Sequence, residues 1–128
     1  GQFMLEGAQV KGQSLTPEGW LQEATRQQVP THRPGQGYGY MWWIYPDASY
    51  AARGIFGQGL FIDPQRQLVI ASNGNWAKAA SDPEAMAARD AFYQAVQKAI
   101  DAEATGAAPA ATATTAPAAS APASARKP

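Results

Sequence analysis

The sequence predicts an α/β protein of the α+β type, in which an antiparallel sheet carries a C-terminal helix packed on it and a disordered tail follows. Three observations lead there. Three β-favouring stretches, residues 38–45, 57–62 and 67–71, are joined by reversals too short for parallel crossovers. A helix-start pattern at Ser81-Asp82-Pro83-Glu84 then precedes apolar residues at helical spacing. Beyond residue 102 the composition becomes almost free of large apolar side chains.

The 128 residues allow one folded domain at most, here residues 1–102, with 103–128 as the tail. Ten acidic residues balance ten basic ones, and neither sign is massed in a patch. That balance removes the electrostatic case for nucleic acid or an anionic membrane as partner. The longest apolar run is far too short to span a bilayer. With no cysteine, disulfides, thiolate metal sites and cysteine nucleophiles are excluded, and the redox compartment stays open.

Gly1 to Glu6 read as the last turns of a helix closed by Gly7, with no capping residue at their start. A helix already in progress is expected of a fragment or a processed product. Thr16-Pro17-Glu18 is expected to open a short helix carrying Trp20, Leu21 and Ala24, with Thr16 as N-cap and Pro17 at the first helical position. It fades by Val29-Pro30, and residues 31–37 are loop by composition. Tyr38 to Tyr45 read as one strand, with Tyr38, Tyr40, Trp42 and Ile44 on one face and Met41, Trp43 and Tyr45 on the other. Pro46-Asp47 makes a turn, Gly57 to Ile62 a second strand, Asp63 to Arg66 a tight reversal, and Gln67 to Ala71 a third strand. On the final helix, Met86, Phe92, Tyr93, Val96 and Ile100 should form the face on the sheet. The tail holds twelve Ala and four Pro in 26 residues and no Leu, Ile, Val or aromatic residue. It cannot bury enough to offset an ordering cost of about 1–2 kcal/mol per residue.

Most candidates for chemistry have plain structural readings. His32, the single histidine, has no Cys or second His to share a metal and reads as a solvated loop residue. Asp63, Asp82 and Glu84 read as turn and cap residues. Ser14, Ser49, Ser72 and Ser81 lie in neither a Gly-x-Ser-x-Gly elbow nor a Ser-x-x-Lys motif. The four Trp and five Tyr read first as core. Arg53-Gly54-Ile55-Phe56-Gly57-Gln58-Gly59 is the exception, with three glycines where a strand should begin. Such a cluster marks either a bulge or a backbone edge that approaches a substrate closely, as in an oxyanion hole or a β-augmentation site.

Gly37 to Trp43, Ala52 to Pro64 and Leu68 to Ser72, taken in that order, resemble the C-terminal end of serine hydrolases of the β-lactamase-like superfamily. The likeness is to relatives of class C β-lactamases, above all the branch of 6-aminohexanoate-oligomer hydrolases and related esterases. Phe3 to Gly7 and Leu15 to Trp20 fit the same pattern, so everything but the tail is covered. The resemblance implies part of a β-lactamase/transpeptidase-like fold and a serine hydrolase that acts on an ester or amide through an acyl-enzyme, without cofactor or metal. The nucleophilic Ser-x-x-Lys and the assisting Tyr of that family are expected upstream of this chain, so this chain alone lacks the nucleophile. Its partners would then be a small-molecule ester or amide substrate and the remainder of the same hydrolase domain. Where the family carries Lys-Thr-Gly or a variant, this chain has Ala52-Arg53-Gly54, which argues against efficient β-lactam hydrolysis. The resemblance places the backbone N–H of Ile55 in the oxyanion hole, a donor worth about 3 kcal/mol, with Arg53, Gly54 and Phe56 beside the substrate. A non-catalytic, penicillin-binding-like recognition domain is the alternative expectation, and a small binding domain that functions alone is a third.

Overall fold

The computed structural model describes residues 1–80 and 82–106. The tail expected from residue 103 therefore lies, from 107 onward, outside the described residues, as does Ser81 of the expected capping sequence. Short helix α1 (Gln2–Leu5) leads into a hairpin of β1 (Gln9–Val10) and β2 (Gln13–Ser14), then α2 (Trp20–Ala24). Six strands follow: β3 (Val29–Pro30), β4 (Gly37–Tyr38), β5 (Trp43–Ile44), β6 (Tyr50–Arg53), β7 (Gly59–Asp63) and β8 (Leu68–Ser72). They form one sheet in chain order, each antiparallel to the next, and α3 (Pro83–Ala104) closes the fold. No described helix is long and apolar enough to cross a membrane.

The antiparallel meander and the helix after it agree with the sequence reading, but several elements differ. Residues 38–45 are a hairpin and not one strand. The chain reverses after Tyr38, with Met41 in the left-handed region at φ 69°, so that Tyr38 pairs with Trp43. Gly39 donates to the Trp42 carbonyl across the reversal, and the two-face alternation expected over eight residues does not arise. β6 went unrecognised because Ala and Arg are poor strand formers, and here packing outweighs propensity. β3 ends on Pro30, whose missing N–H suits it to the sheet edge it occupies. α2 begins three residues later than expected: Gly19, at φ 75°, stands at its N-cap and Trp20 donates to the Pro17 carbonyl. Asp82 caps α3, accepting from the Ala85 amide with Pro83 in the first turn. That helix runs to Ala104, two residues into the expected tail.

Side chains alternate across the sheet, so β6 and β7 feed a core on each face. On one face Ile44, Tyr50 and Ile62 are buried together, with Met4 and Leu5 of α1, Trp42 and Leu60 packed against them. On the other, Ala51, Phe61 and Tyr93 are buried, with Tyr45, Leu68 and Ile70 around them. Tyr93 docks α3 by stacking on Phe61, ring centroids 4.4 Å apart. The helix face on the sheet is set by Tyr93 and Gln97; Phe92, expected there, is 53% exposed.

Asp63 is fully buried at the end of β7. Its Oδ1 accepts from the amides of Gln65 and Arg66, which shapes the β7–β8 turn. Its Oδ2 accepts from Arg66 Nη1 at 2.8 Å and from Gln97 Nε2 of α3 at 2.7 Å. Arg66 continues to Asp101 by two bonds, at 2.9 and 3.0 Å, and Gln97 also donates to Asp47.

Two predictions follow from this network. Asp63→Ala should lower the unfolding free energy by roughly 3 kcal/mol, because buried donors are left unpaired. Asp101→Ala, at the exposed end, should cost less than about 1 kcal/mol. Urea denaturation of both variants checks the ranking. The second prediction concerns acid. The Arg66 hydrogen bonds hold Asp101 below the ordinary carboxylate range. Partial burial opposes ionisation of Asp47, but hydrogen bonds from Ser49 and Gln97 outweigh it and lower this carboxyl too. A carboxyl lowered on folding adds stability above its unfolded pKa, about 4, and loses it as pH falls through the folded value. Melting temperature should therefore decline on acidification below about pH 4; a flat profile into that range would contradict the network's role.

Candidate functional site

β6 delivers its last residue, Arg53, to the face shared with Trp43 and Tyr45, because Trp43 pairs with Ala51 two positions away and strand side chains repeat every second residue. The Arg53 guanidinium carbon lies 5.2 Å from the ring centroids of both Trp43 and Tyr45, and Nη2 donates to the Tyr45 hydroxyl. Burial raises the Tyr45 pKa, and the neighbouring Arg53 works against that rise.

After Arg53 the chain does not continue as a strand. Gly54 is extended (φ −105°, ψ 176°), and Ile55–Gly57 form a single 3₁₀ turn with Phe56 in the left-handed region at φ 55°. Gly54 donates to the Gln58 carbonyl and Gln58 donates back to that of Ile55. Phe56 donates to Ala79 and accepts from the Trp76 amide, so the segment 73–80 straps the turn. The N–H of Ile55 donates to no acceptor among the described residues.

These residues border a cleft of about 440 Å³. Arg53, Gly54 and Ile55 line one side, His32 and Arg33 of the 31–36 loop another, and Trp76 and Arg89 the third. The loop is fixed by an Arg33–Asp90 ion pair at 3.2 Å and by Thr31 donating through its amide and hydroxyl to Gln36. Asp90 also accepts from Arg89 at 2.9 Å, and the Arg89 guanidinium lies 5.4 Å from the Trp76 ring centroid.

Of the residues singled out from the sequence, Arg53, Gly54 and Ile55 are thus gathered at one cleft. Phe56 is 42% exposed and does not line it. His32, read as a solvated loop residue, is exposed but stands at the cleft. Ser49 is buried and donates to Asp47, and Ser72 bonds weakly to the Gly57 and Gly59 carbonyls; neither these nor Ser14 lines the cleft. Trp43, Trp76, Arg33 and Arg89 went unnoticed, because the pairings that unite them are formed by residues far apart in the chain.

The glycine cluster divides on inspection. Gly57 has φ +83°, and a Cβ there would come within 2.4 Å of the Trp76 indole. Gly54 has ordinary extended backbone, and its Cβ would meet Gln58 at 3.0 Å, not the cleft. Close approach therefore belongs to Gly57, under the strap, and to Gly59, where a Cβ would come within 2.9 Å of the Ser72 hydroxyl.

Among the described residues no group of three or more His, Cys, Asp or Glu side chains is placed to hold a metal ion. Compared with known proteins, the chain matches no protein-family model and has no significantly similar curated protein.

Gly57→Ala should cost roughly 2–4 kcal/mol, from left-handed strain together with the indole clash. Gly54→Ala should cost about 1 kcal/mol or less, since Gln58 has to give by only a few tenths of an ångström. Chemical denaturation of the two variants measures the contrast.

Proposed function

We propose that this chain is the C-terminal segment of a β-lactamase-like serine hydrolase, whose nucleophile belongs to a preceding part of the protein and whose substrate is an ester or amide. The sequence resemblance supplies the reading, and one observation carries it further. The Ile55 N–H has no acceptor within the described residues, and Ile55 is among the residues that line a cleft of about 440 Å³. A fixed backbone donor at the rim of a cavity is what acyl transfer needs, since the charge of the tetrahedral intermediate develops on the former carbonyl oxygen. The serine of the preceding segment would attack the acyl carbon and carry the acyl group, and water would then release it. The Ile55 N–H would share the oxyanion with the N–H of that serine. Gly54 and the turn Ile55–Gly57 hold the donor in place, because the Gly54 amide donates to the Gln58 carbonyl and the Gln58 amide donates to that of Ile55.

The local geometry makes the donor removable. Ile55 is the first residue of a 3₁₀ turn, where proline costs no internal hydrogen bond. Gly54 before it is extended, the conformation a residue preceding proline prefers. In the complete protein, Ile55→Pro should lower ester turnover by roughly 10²–10³-fold, with the circular dichroism spectrum unchanged. Ile55→Val keeps the N–H and should cost little. Full turnover in a folded Ile55→Pro variant would remove the oxyanion role, and absence of any acyl-enzyme in the wild-type protein would favour a non-catalytic recognition domain.

A further inference from the structure

The chain has two asparagines, and both stand in the strap that crosses the Ile55–Gly57 turn: Asn73, followed by Gly74, and Asn75, followed by Trp76. The strap leaves β8 at Ser72, and Asn73 to Trp76 belong to no helix or strand. Gly74 lies so close to Gly57 that a Cβ on it would come within 2.7–2.9 Å of three Gly57 backbone atoms. Its carbonyl accepts from Gln58 Nε2 at 2.9 Å, and the Trp76 amide donates to the Phe56 carbonyl. Packing therefore demands glycine at position 74. The Gly74 amide, in contrast, donates to no acceptor among the described residues. Asn73 is exposed and lines a surface hollow of about 380 Å³. The side-chain hydrogen bonds beside it are made by Gln58 and Ser72. A solvated amide side chain thus precedes an unbonded backbone nitrogen, on a residue with no side chain to shield it.

We infer that Asn73 is a site of spontaneous modification, at which the chain converts asparagine to isoaspartate and aspartate. The Gly74 nitrogen, after giving its proton to hydroxide, attacks Cγ of Asn73. The N–Cγ bond forms, the Cγ–Nδ2 bond breaks, and Nδ2 takes a proton from water and leaves as ammonia, restoring hydroxide. Water then opens the resulting succinimide ring at either carbonyl. Cleavage at Cγ gives aspartate; cleavage at the backbone carbonyl gives isoaspartate, whose main chain runs through the former side chain. Asparagine is a thermolabile residue, and a following glycine leaves the backbone free to adopt the geometry of attack. Asn75 lacks both openings, because its following nitrogen is bound to the Phe56 carbonyl and carries the bulk of Trp76. Isoaspartate inserts an extra carbon into the backbone beside Gly74 and adds a negative charge. The close seat of Gly74 on Gly57 leaves no slack for that carbon, so the strap loosens. Trp76, which lines the cleft, then loses its setting over Gly57. This chemistry needs only the strap and stands whether or not the hydrolase reading holds.

The test ages the complete, folded protein in warm, mildly alkaline buffer. Mass spectrometry of the tryptic peptide 67–78, which holds both asparagines, should show amide-to-acid conversion at Asn73 with Asn75 intact. The rate should rise in proportion to hydroxide. An isoaspartate methyltransferase should label this peptide from aged protein and not from fresh protein. The aged protein should melt roughly 2–4 °C below the fresh one. Asn73→Gln, whose longer side chain closes a ring far more slowly, should take no label there and keep its melting temperature through the same ageing. Freshly purified Asn73→Asp carries the charge with the backbone in register, and should melt close to fresh wild type. Survival of Asn73 through ageing, or conversion no faster than at Asn75, would overturn the site. Conversion with an unchanged melting temperature would overturn the loosening of the strap, as would an equal loss in aged Asn73→Gln. A melting temperature of fresh Asn73→Asp as low as that of the aged protein would overturn the role of the inserted carbon.

Discussion

The Asp63 carboxylate is fully buried, and four donors converge on it from two parts of the chain. Two are amides of its own turn, one is the Arg66 side chain, and one is Gln97 from the middle of α3. A buried carboxylate is tolerated only when its lone pairs are this well occupied. The arrangement therefore fixes the β7–β8 turn and the rotational setting of α3 together. With Gln97 tied down, Tyr93 one helical turn earlier lands on Phe61, and a further turn back Arg89 reaches the cleft while Asp90 pairs with Arg33. The helix has little choice of azimuth once Asp63 is satisfied.

The two sheet faces are served differently. α1 covers one with Met4 and Leu5, whereas α3 meets the other through Tyr93 and Gln97. The cleft opens where β6 ends, because the chain leaves the sheet into the Ile55–Gly57 turn and the segment 73–80 returns across it. Trp76 sits over Gly57, which has no side chain to obstruct it, and presents its ring to Arg89. The packing role and the proposed oxyanion role would thus fall to different residues of one short segment. Gly57 admits the strap, while Gly54 sets the extended approach to the Ile55 amide.

Local chemistry was legible wherever the signal was local. Gly7 closing α1, the Pro46-Asp47 turn, the Asp63–Arg66 reversal and the Asp82-Pro83 helix start were all readable, because each depends on backbone preferences of neighbouring residues. β6 was not, since Tyr50-Ala51-Ala52-Arg53 has weak strand propensity and is held by β5 and β7 on either side. Residues 38–45 misled for the opposite reason. Their aromatic, β-favouring composition suits one long strand as well as two short ones, and the reversal at Gly39–Trp42 places a methionine in the left-handed region that carries no turn signature.

The sequence by itself determined the succession of an antiparallel meander and a C-terminal helix, and it marked Arg53 to Gly59 as either a bulge or a close approach of backbone. Periodicity, caps and glycine spacing act over a few residues, so a single pass along the chain registers them. Tertiary structure alone decided that Ile55 begins a turn, and that among the described residues its amide has no acceptor and Arg53 has two aromatic rings but no carboxylate partner. It alone brought Arg33, Arg53 and Arg89 to one cleft. Those facts depend on strand register and on the setting of α3 by Asp63, which join residues up to 57 positions apart, and no local pattern of residue types encodes them.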